Sequence, residues 1–460
     1  MPTAVSPSGR QALLAALLVG LGIVLGGGGS PAPVTEMILQ CLAALIVAVW
    51  ILVSPVRFPF FQADRSAWIL AGLILALPII QLVPLPPVIW QGLPGRELER
   101  ASLALVGAQD SWRPLSMAPQ RTLASLLVLL PAVAVLLMVA SLQRGGRALL
   151  IAIIAAMALL GLLAGAAQMA GGSEGPFRFY GPDVGWLLGF QANHNSAADV
   201  LLIAMVASTA LIRDYSELRK HARTASRLTR PYRLSLAAGT CLLFAVGVVL
   251  TASRAGIFLL PLALMGVLAI VWPWLRFNRR TLVISGLAVT VLLVISGWII
   301  ANNAVVERVI SRFVFGGEFR PELWRDSLFA LQQYFPFGAG IGAFVPVFLA
   351  AERLEVVGAS FPNRAHNDFL EFGVEAGVFG AMVLAAITAI LIRLIVKGWK
   401  SPPAGSRAQL VFSITTLALI ALHSQVDYPL RSMSLAFIAA ACTGLLLPVP
   451  GGGEPKGEHD

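Results

Sequence analysis

Long apolar runs recur along the whole chain and constrain its fold more than any other feature. A helix that crosses the roughly 30 Å hydrocarbon core of a bilayer needs about 20 mostly apolar residues, and twelve stretches meet that requirement. The predicted spans are residues 11–28, 36–54, 67–85, 121–141, 148–170, 186–212, 234–251, 255–275, 281–300, 366–396, 409–425 and 431–448. Only 12% of the residues are charged, about half the share in an average soluble domain. The sequence therefore predicts an all-α polytopic membrane protein.

The spacing of the spans predicts the domain organisation. Residues 1–300 hold spans one to nine, and residues 366–448 hold spans ten to twelve. Between them, residues 301–365 form the longest connection, which predicts one large outer loop with a small subdomain. Within it, apolar residues recur at helical spacing over 322–331. The Gly-rich polar stretch 449–460 is predicted to be a disordered cytoplasmic tail.

The distribution of basic residues predicts the orientation. With the N-terminus in the cytoplasm, the inner segments hold most of the 33 lysines and arginines, including all four lysines. Because short cytoplasmic loops carry the excess of Lys and Arg in membrane proteins, both termini are predicted to be cytoplasmic.

Polar side chains cluster at the outer ends of the predicted helices. Ionisable groups are costly inside a membrane and commonly serve function there. The set is Asn193, Asn195, Arg254, His366, Asn367, His423, Asp427 and Arg431. Several helices are thus expected to contribute to one site at the outer face.

Arg254 and His366 are the two strongest candidates in this set. A half-buried arginine in a tight turn needs an anion. Its partner is either a carboxylate of the chain (Asp427, Glu375 or Asp199) or a bound phosphate. A single histidine is more often structural than catalytic, and both alternatives stay open for His366.

The predicted tenth span offers a more detailed pattern. At 100° per residue, the glycines at 373, 377 and 380 align with His366, while Asp368, Glu371 and Glu375 lie on the opposite side. This predicts a groove below the histidine, or a small-residue stripe that packs against a neighbouring helix.

Motifs of soluble enzymes are missing from the sequence: it has no phosphate-binding Gly-rich loop, zinc spacing, Asp-x-Asp motif or serine-nucleophile elbow. A secondary transporter is an alternative, because twelve spans and a basic central loop at 213–233 are typical of that class. Against it, the sequence has no evident internal repeat, and its polar groups lie at the outer end rather than at the midplane.

The sequence also resembles a known family. His366-Asn367, followed by nine residues and Gly377-Val-Phe-Gly380, is similar to the signature of the O-antigen ligase family. Supporting stretches are residues 189–196, 251–256, 336–342 and 423–431. The resemblance covers roughly residues 115–445.

The resemblance implies a membrane glycosyltransferase of the bacterial inner membrane whose active site faces the periplasm. Such enzymes take a glycan from undecaprenyl diphosphate without a metal or another cofactor. Ligases attach the glycan to lipid A-core, Wzy-type polymerases attach it to another lipid-linked glycan, and a third branch attaches it to protein hydroxyls. The motifs do not separate ligase from polymerase. The implied partners are these lipid-linked glycans and membrane lipids, with no nucleic acid.

Residue roles follow from this chemistry as hypotheses. His366 is the candidate general base, since imidazole exchanges a proton near neutral pH. Arg254, with Arg320 or Arg325 from the loop, is predicted to stabilise the departing diphosphate. The remaining candidates for substrate binding are Asn193, Asn195, Asn367, His423, Asp427 and Arg431.

Overall fold

A computed structural model describes residues 7–29, 33–54, 59–171, 179–180, 185–220, 229–275, 320–358, 361–403 and 406–450. The α-helices are α1 (Pro7–Leu25), α2 (Pro33–Leu52), α3 (Arg65–Leu82), α4 (Pro87–Trp90), α5 (Glu97–Leu105), α6 (Pro119–Ala140), α7 (Arg144–Ala170), α8 (His194–Lys220), α9 (Arg230–Leu250), α10 (Arg254–Val271), α11 (Arg320–Tyr334), α12 (Phe344–Ala351), α13 (Asp368–Lys400), α14 (Arg407–His423) and α15 (Met433–Leu446). The described strands, β1 (Pro84–Leu85) and β2 (Arg113–Pro114), form an antiparallel ribbon.

The helices match the predicted spans closely. Every predicted span except the ninth overlaps a described helix, although α8 begins and ends eight residues later than the sixth span, 186–212; the ninth, 281–300, lies outside the described residues. Within the described part of the chain, nine helices are long and apolar enough to cross a membrane, while α14 and α15 are shorter apolar helices. The prediction of an α-helical multi-pass membrane protein is confirmed.

Helix α8 forms the centre of the bundle. Of the residues in its most apolar window, 83% are buried, against 11% for α13. It packs against α7, α9, α10 and α14, and residues 195–207 are buried on every face. A helix that is apolar all round belongs in the interior, so α8 can carry polar side chains into the centre of the molecule.

Helix α13 lies at the edge of the bundle and is broken at Gly377, where φ is 55° and ψ is −143°. The segment 336–342 fits against this break: Val378 N donates to Pro336 O at 2.9 Å, and Gly340 N donates to Glu375 O at 2.8 Å. The predicted straight row of glycines below His366 is therefore wrong, because the helix does not continue regularly through Gly377.

The described part of the predicted loop 301–365 contains α11 and α12, which pack against α13. The amphipathic pattern over 322–331 falls inside α11, and its apolar positions Leu323 and Ala330 are buried. Residues 301–319 of the predicted loop lie outside the described residues, and so do residues 451–460, which make up most of the predicted tail.

Candidate active site

One end of the bundle collects the termini of several helices. Leu187 N donates to Leu250 O at 3.0 Å, which joins the approach to α8 with the end of α9. Asp368 N donates to Ser424 O at 2.9 Å, which joins the start of α13 with the end of α14. The first residues of α8, α10 and α13 therefore lie near the connection between α14 and α15.

His366 and Asp427 form a direct pair at this end. His366 Nδ1 lies 2.9 Å from Asp427 Oδ1, and 19% of the histidine side chain is exposed against 3% of the aspartate. His366 precedes α13 and has a left-handed backbone, with φ at 49°. An aspartate on Nδ1 fixes the orientation of the ring and leaves Nε2 as its proton-accepting nitrogen.

Asp427 is held from its other side by two asparagines. Its Oδ2 accepts from Asn195 Nδ2 at 2.6 Å and from Asn193 Nδ2 at 3.2 Å. Burial raises the pKa of a carboxyl, but the hydrogen bond and charge of His366, with further help from His423 and Asn195, hold the pKa of Asp427 below its usual value. The residue is therefore a carboxylate at neutral pH.

Ser253 continues this network to α10. Its hydroxyl donates to Asn195 Oδ1 at 2.7 Å and accepts from Gly256 N at 2.9 Å, so it caps α10. Arg254, the next residue, is the first of the helix and is half-buried. The cap therefore brings Arg254 to the same end of the bundle as the His366–Asp427 pair.

Tyr428 is a site residue that the sequence analysis missed. Its ring meets His366 edge-on, with the ring centroids 4.9 Å apart. Burial raises the pKa of Tyr428 to about 12, so its phenol stays protonated. The only signal for it in the sequence is its place next to Asp427 in the 423–431 stretch, which identifies no role for a tyrosine.

His423 and Asp199 form a second pair, which lies deeper than the first. His423 Nδ1 is 2.7 Å from Asp199 Oδ1, and the side chains are 1% and 0% exposed. Asp199 therefore pairs with His423 rather than serving as the hydrogen-bonded counter-ion of Arg254. Since His423 is enclosed, direct contact with a substrate at this side chain would need the site to open.

Arg431 is surrounded by three carboxylates of α13. Its guanidinium lies 2.7 Å from Glu375, 3.3 Å from Glu371 and 3.6 Å from Asp368. Glu371 also binds Arg364 at 3.0 Å. Because its charge is balanced internally, Arg431 ties the α14–α15 connection to α13, and this role competes with its predicted role in substrate binding.

The remaining candidates lie at or near the same end. Asn367 Oδ1 accepts from Leu370 N at 3.0 Å and caps α13, which offers an alternative to sugar binding. Arg320, the first residue of α11, is half-buried, and its charge reaches His423. Arg325 is exposed on the same helix. It lies five residues after Arg320, which corresponds to about 140° around the helix axis, so the two arginines do not share a face of α11.

Residues 239–385 match the sequence model of the O-antigen ligase family. This part of the chain is therefore similar to the O-antigen ligase family. Members of this family are glycosyltransferase-like ligases and polymerases that use lipid-linked glycans. No curated protein sequence matches the chain significantly.

The family match covers about a third of the chain and contains only part of the site. His366, Arg254 and both candidate arginines of α11 fall inside the O-antigen ligase match. Asp427 and the asparagines that hold it fall outside. The network around His366 thus combines the matched region with helices from both flanking parts of the chain.

Proposed function

We propose that this protein is an O-antigen ligase-like glycosyltransferase of the bacterial inner membrane. It transfers a glycan from undecaprenyl diphosphate to an acceptor hydroxyl, such as that of lipid A-core, at the periplasmic face. The observation that carries the proposal is the His366–Asp427 pair at 2.9 Å, which lies at the end of the bundle where the family signature begins.

His366 is the general base of the proposed reaction. Asp427 orients the ring through Nδ1, so that Nε2 removes the proton of the acceptor hydroxyl. The acceptor oxygen then forms a bond to the anomeric carbon of the glycan. At the same time the bond from that carbon to the diphosphate oxygen breaks, and its electron pair leaves with the lipid diphosphate. The paired carboxylate of Asp427 stabilises the imidazolium that results.

Two arginines stabilise the departing diphosphate in this proposal. Arg254 begins α10 beside the Ser253–Asn195 contact, and Arg320 begins α11 close enough for its charge to act on His423. Guanidinium groups bind phosphate oxygens in a bidentate manner. Preorganised positive charge in a site with little water lowers the barrier for a leaving anion.

Complementation of a chromosomal deletion tests the proposed function. The deletion strain receives wild type, His366→Ala or the control His459→Ala, which changes a histidine in the predicted tail. Lipopolysaccharide, secreted polysaccharide and lipid-linked intermediates are then compared on gels, with membrane levels of each variant measured by immunoblot. Wild type and control are expected to restore long-chain lipopolysaccharide, whereas His366→Ala leaves lipid-linked polymer to accumulate.

Other outcomes of this experiment identify other functions. A core that carries a single repeat, or loss of the secreted polymer alone, indicates a Wzy-type polymerase. Unchanged glycans in the deletion strain contradict both enzymes and favour a transporter. Full transfer by His366→Ala at normal membrane levels refutes the role of this histidine as base.

A further inference from the structure

A group of three arginines surrounds one tryptophan at the end of the bundle opposite the candidate active site. Helices α8 and α10 begin at the active-site end, so their last residues lie at the far end, where α9 begins. The guanidinium carbons of Arg213 and Arg233 lie 5.6 and 5.2 Å from the centroid of the Trp274 ring. Arg230 Nε donates to the carbonyl oxygen of Trp274. We call these four residues the Trp274 cluster.

Within the described residues, two of these arginines have no carboxylate in ion-pair distance. No ion pair joins Arg230 or Arg233 to a carboxylate in the described part of the chain. The positive charge of Arg230 and Arg233 is therefore not balanced by an ion pair with a carboxylate of the described part of the chain.

Among the described residues, Arg233 carries a donor that lacks an acceptor. Its Nε is buried without a hydrogen-bond partner among the described residues. A buried donor left without an acceptor costs free energy. Trp274 beneath it is only 6% exposed, whereas Trp272 is 57% exposed. The ring therefore forms a fixed base on which the guanidinium is held.

The start of α9 adds a further positive element. The helix begins at Arg230, and its preceding residue Thr229 makes no side-chain capping hydrogen bond. The N-terminal end of a helix carries partial positive charge and free amide donors, which favour an anion. Arg230 and Arg233 are three residues apart, so they extend from the same face of this helix end.

We propose that the Trp274 cluster binds a phosphate-bearing anion. Phosphate has the charge and the several acceptor oxygens that paired guanidinium groups and free amides can satisfy together. The source is either the head group of an anionic phospholipid or free phosphate. Basic pockets between helices at the cytoplasmic side are suited to anionic lipid head groups. The predicted orientation puts this end at the cytoplasmic leaflet.

Thermal unfolding of the purified full-length protein tests the proposal. The midpoint is measured in phosphatidylcholine micelles during titration with short-chain phosphatidylglycerol and, separately, with inorganic phosphate. The variants are Arg233→Gln and the double variant Arg230→Gln/Arg233→Gln. Arg407→Gln is the matched control, because Arg407 also lies over a tryptophan, 5.3 Å from the Trp399 centroid, with no second arginine over that ring among the described residues.

Wild type and Arg407→Gln are expected to be stabilised by phosphatidylglycerol with the same apparent affinity. Loss of two arginines is expected to weaken that affinity roughly thirty-fold. Arg233→Gln alone keeps the proposal testable if the double variant does not fold, because Arg233 makes no hydrogen bond that its loss would leave unpaired in the described residues.

The two titrations distinguish the sources of the anion. Stabilisation by phosphatidylglycerol alone identifies a lipid head-group site, and stabilisation by inorganic phosphate through the same arginines identifies a site for free phosphate. Equal affinity of wild type and the double variant for both probes, or no stabilisation of wild type by either, overturns the proposal. This test does not depend on glycan transfer.

Discussion

His366 combines an uncommon backbone conformation with a carboxylate partner. A positive φ is costly for a residue with a side chain, by roughly 1–3 kcal/mol, and persists where surrounding contacts hold it. Here Glu371 accepts from Ala365 N at 2.9 Å on one side, and Asp368 N donates to Asp427 O at 3.2 Å on the other. The residues on both sides of His366 are thus fixed, which directs its ring at Asp427.

The lowered pKa of Asp427 predicts how its contribution to stability depends on pH. A carboxyl whose pKa is lower in the folded protein stabilises that state above the unfolded pKa. This stabilisation is lost as the pH falls through the folded pKa. We expect the free energy of unfolding of wild type to exceed that of Asp427→Asn by about 2 kcal/mol from neutral pH to about pH 5. This difference is expected to shrink below about pH 4.

Thermal or chemical unfolding of the two proteins across this range measures the difference. Asp110→Asn serves as the control, since Asp110 is exposed in the connection before α6. A difference that stays the same down to pH 3 would show that the carboxylate of Asp427 is not what stabilises the site.

Arg254→Lys tests the geometry of the proposed diphosphate contact. Lysine keeps the charge but loses the planar, bidentate donor group, so transfer is expected to fall by about 10- to 100-fold. Glycan transfer is measured in membranes with matched protein levels. Arg100→Lys, at an exposed position of α5, is expected to keep wild-type activity. A silent Arg254→Lys would exclude bidentate contact at this position.

At the scale of elements, the break in α13 determines the shape of the region below His366. The carbonyls of Val374 and Glu375 accept from Ala339 N and Gly340 N instead of from the next helical turn. Glu375 Oε1 also accepts from Gly342 N at 2.8 Å. Segment 336–342 is therefore joined to α13 around the break, and the glycines allow the two backbones to approach this closely.

Gly377→Ala is expected to destabilise the protein by at least about 2 kcal/mol. A Cβ at this position would lie 2.1 Å from Pro336 O, on a backbone with φ at 55°. Gly72→Ala in α3 is the control, because a Cβ there meets nothing within 4 Å, and alanine is the better helix former. Unfolding midpoints in detergent compare both variants, and equal midpoints for Gly377→Ala and wild type would contradict the observed break.

Arg147 joins the start of α7 to the end of α15. Its guanidinium is 0% exposed and donates to the carbonyls of Leu142, Leu445, Leu447 and Pro448. These carbonyls include unpaired groups of a helix end, which otherwise need other partners. The arginine thus replaces several missing backbone hydrogen bonds.

Arg147→Ala is expected to lower the free energy of unfolding by about 3 kcal/mol, because it leaves several buried acceptors without donors. Arg144→Ala, exposed one turn earlier, is expected to change it by less than about 0.5 kcal/mol. Denaturant titration in detergent measures both. Equal effects of the two substitutions would argue against the contacts of Arg147.

At the scale of the whole molecule, the two ends of the bundle differ in chemistry. One end holds the His366–Asp427 pair together with Arg431 and its three carboxylate partners. The other end holds the Trp274 cluster. The positive-inside rule predicts that the Trp274 end faces the cytoplasm, which would put the candidate active site at the periplasmic face.

Cysteine labelling tests this orientation. In a variant whose three native cysteines are replaced by alanine, Gln109→Cys and Lys400→Cys introduce single thiols at exposed positions of opposite ends. A membrane-impermeant maleimide is expected to label Gln109→Cys in spheroplasts, and Lys400→Cys only after permeabilisation. The reverse pattern would turn the molecule over and put the His366 site on the cytoplasmic side.

The sequence by itself determined the class of protein and the position of most helices. An apolar run long enough to cross a bilayer is a local property, and a helix satisfies its own backbone within four residues. The sequence that resembles the family signature likewise lies within 15 consecutive residues, 366–380, so it made His366 a candidate without knowledge of the fold.

Only the tertiary structure decided which side chains meet. Asp427 is 61 residues from His366 and 232 from Asn195 in the chain, and Asp199 is 224 from His423. Helical periodicity relates residues within a few turns, so it predicted neither these pairs nor the three carboxylates on Arg431. Helical periodicity also predicted a regular helix through Gly377. It could not predict the break, because the segment that fits against the break, 336–342, comes from another part of the chain.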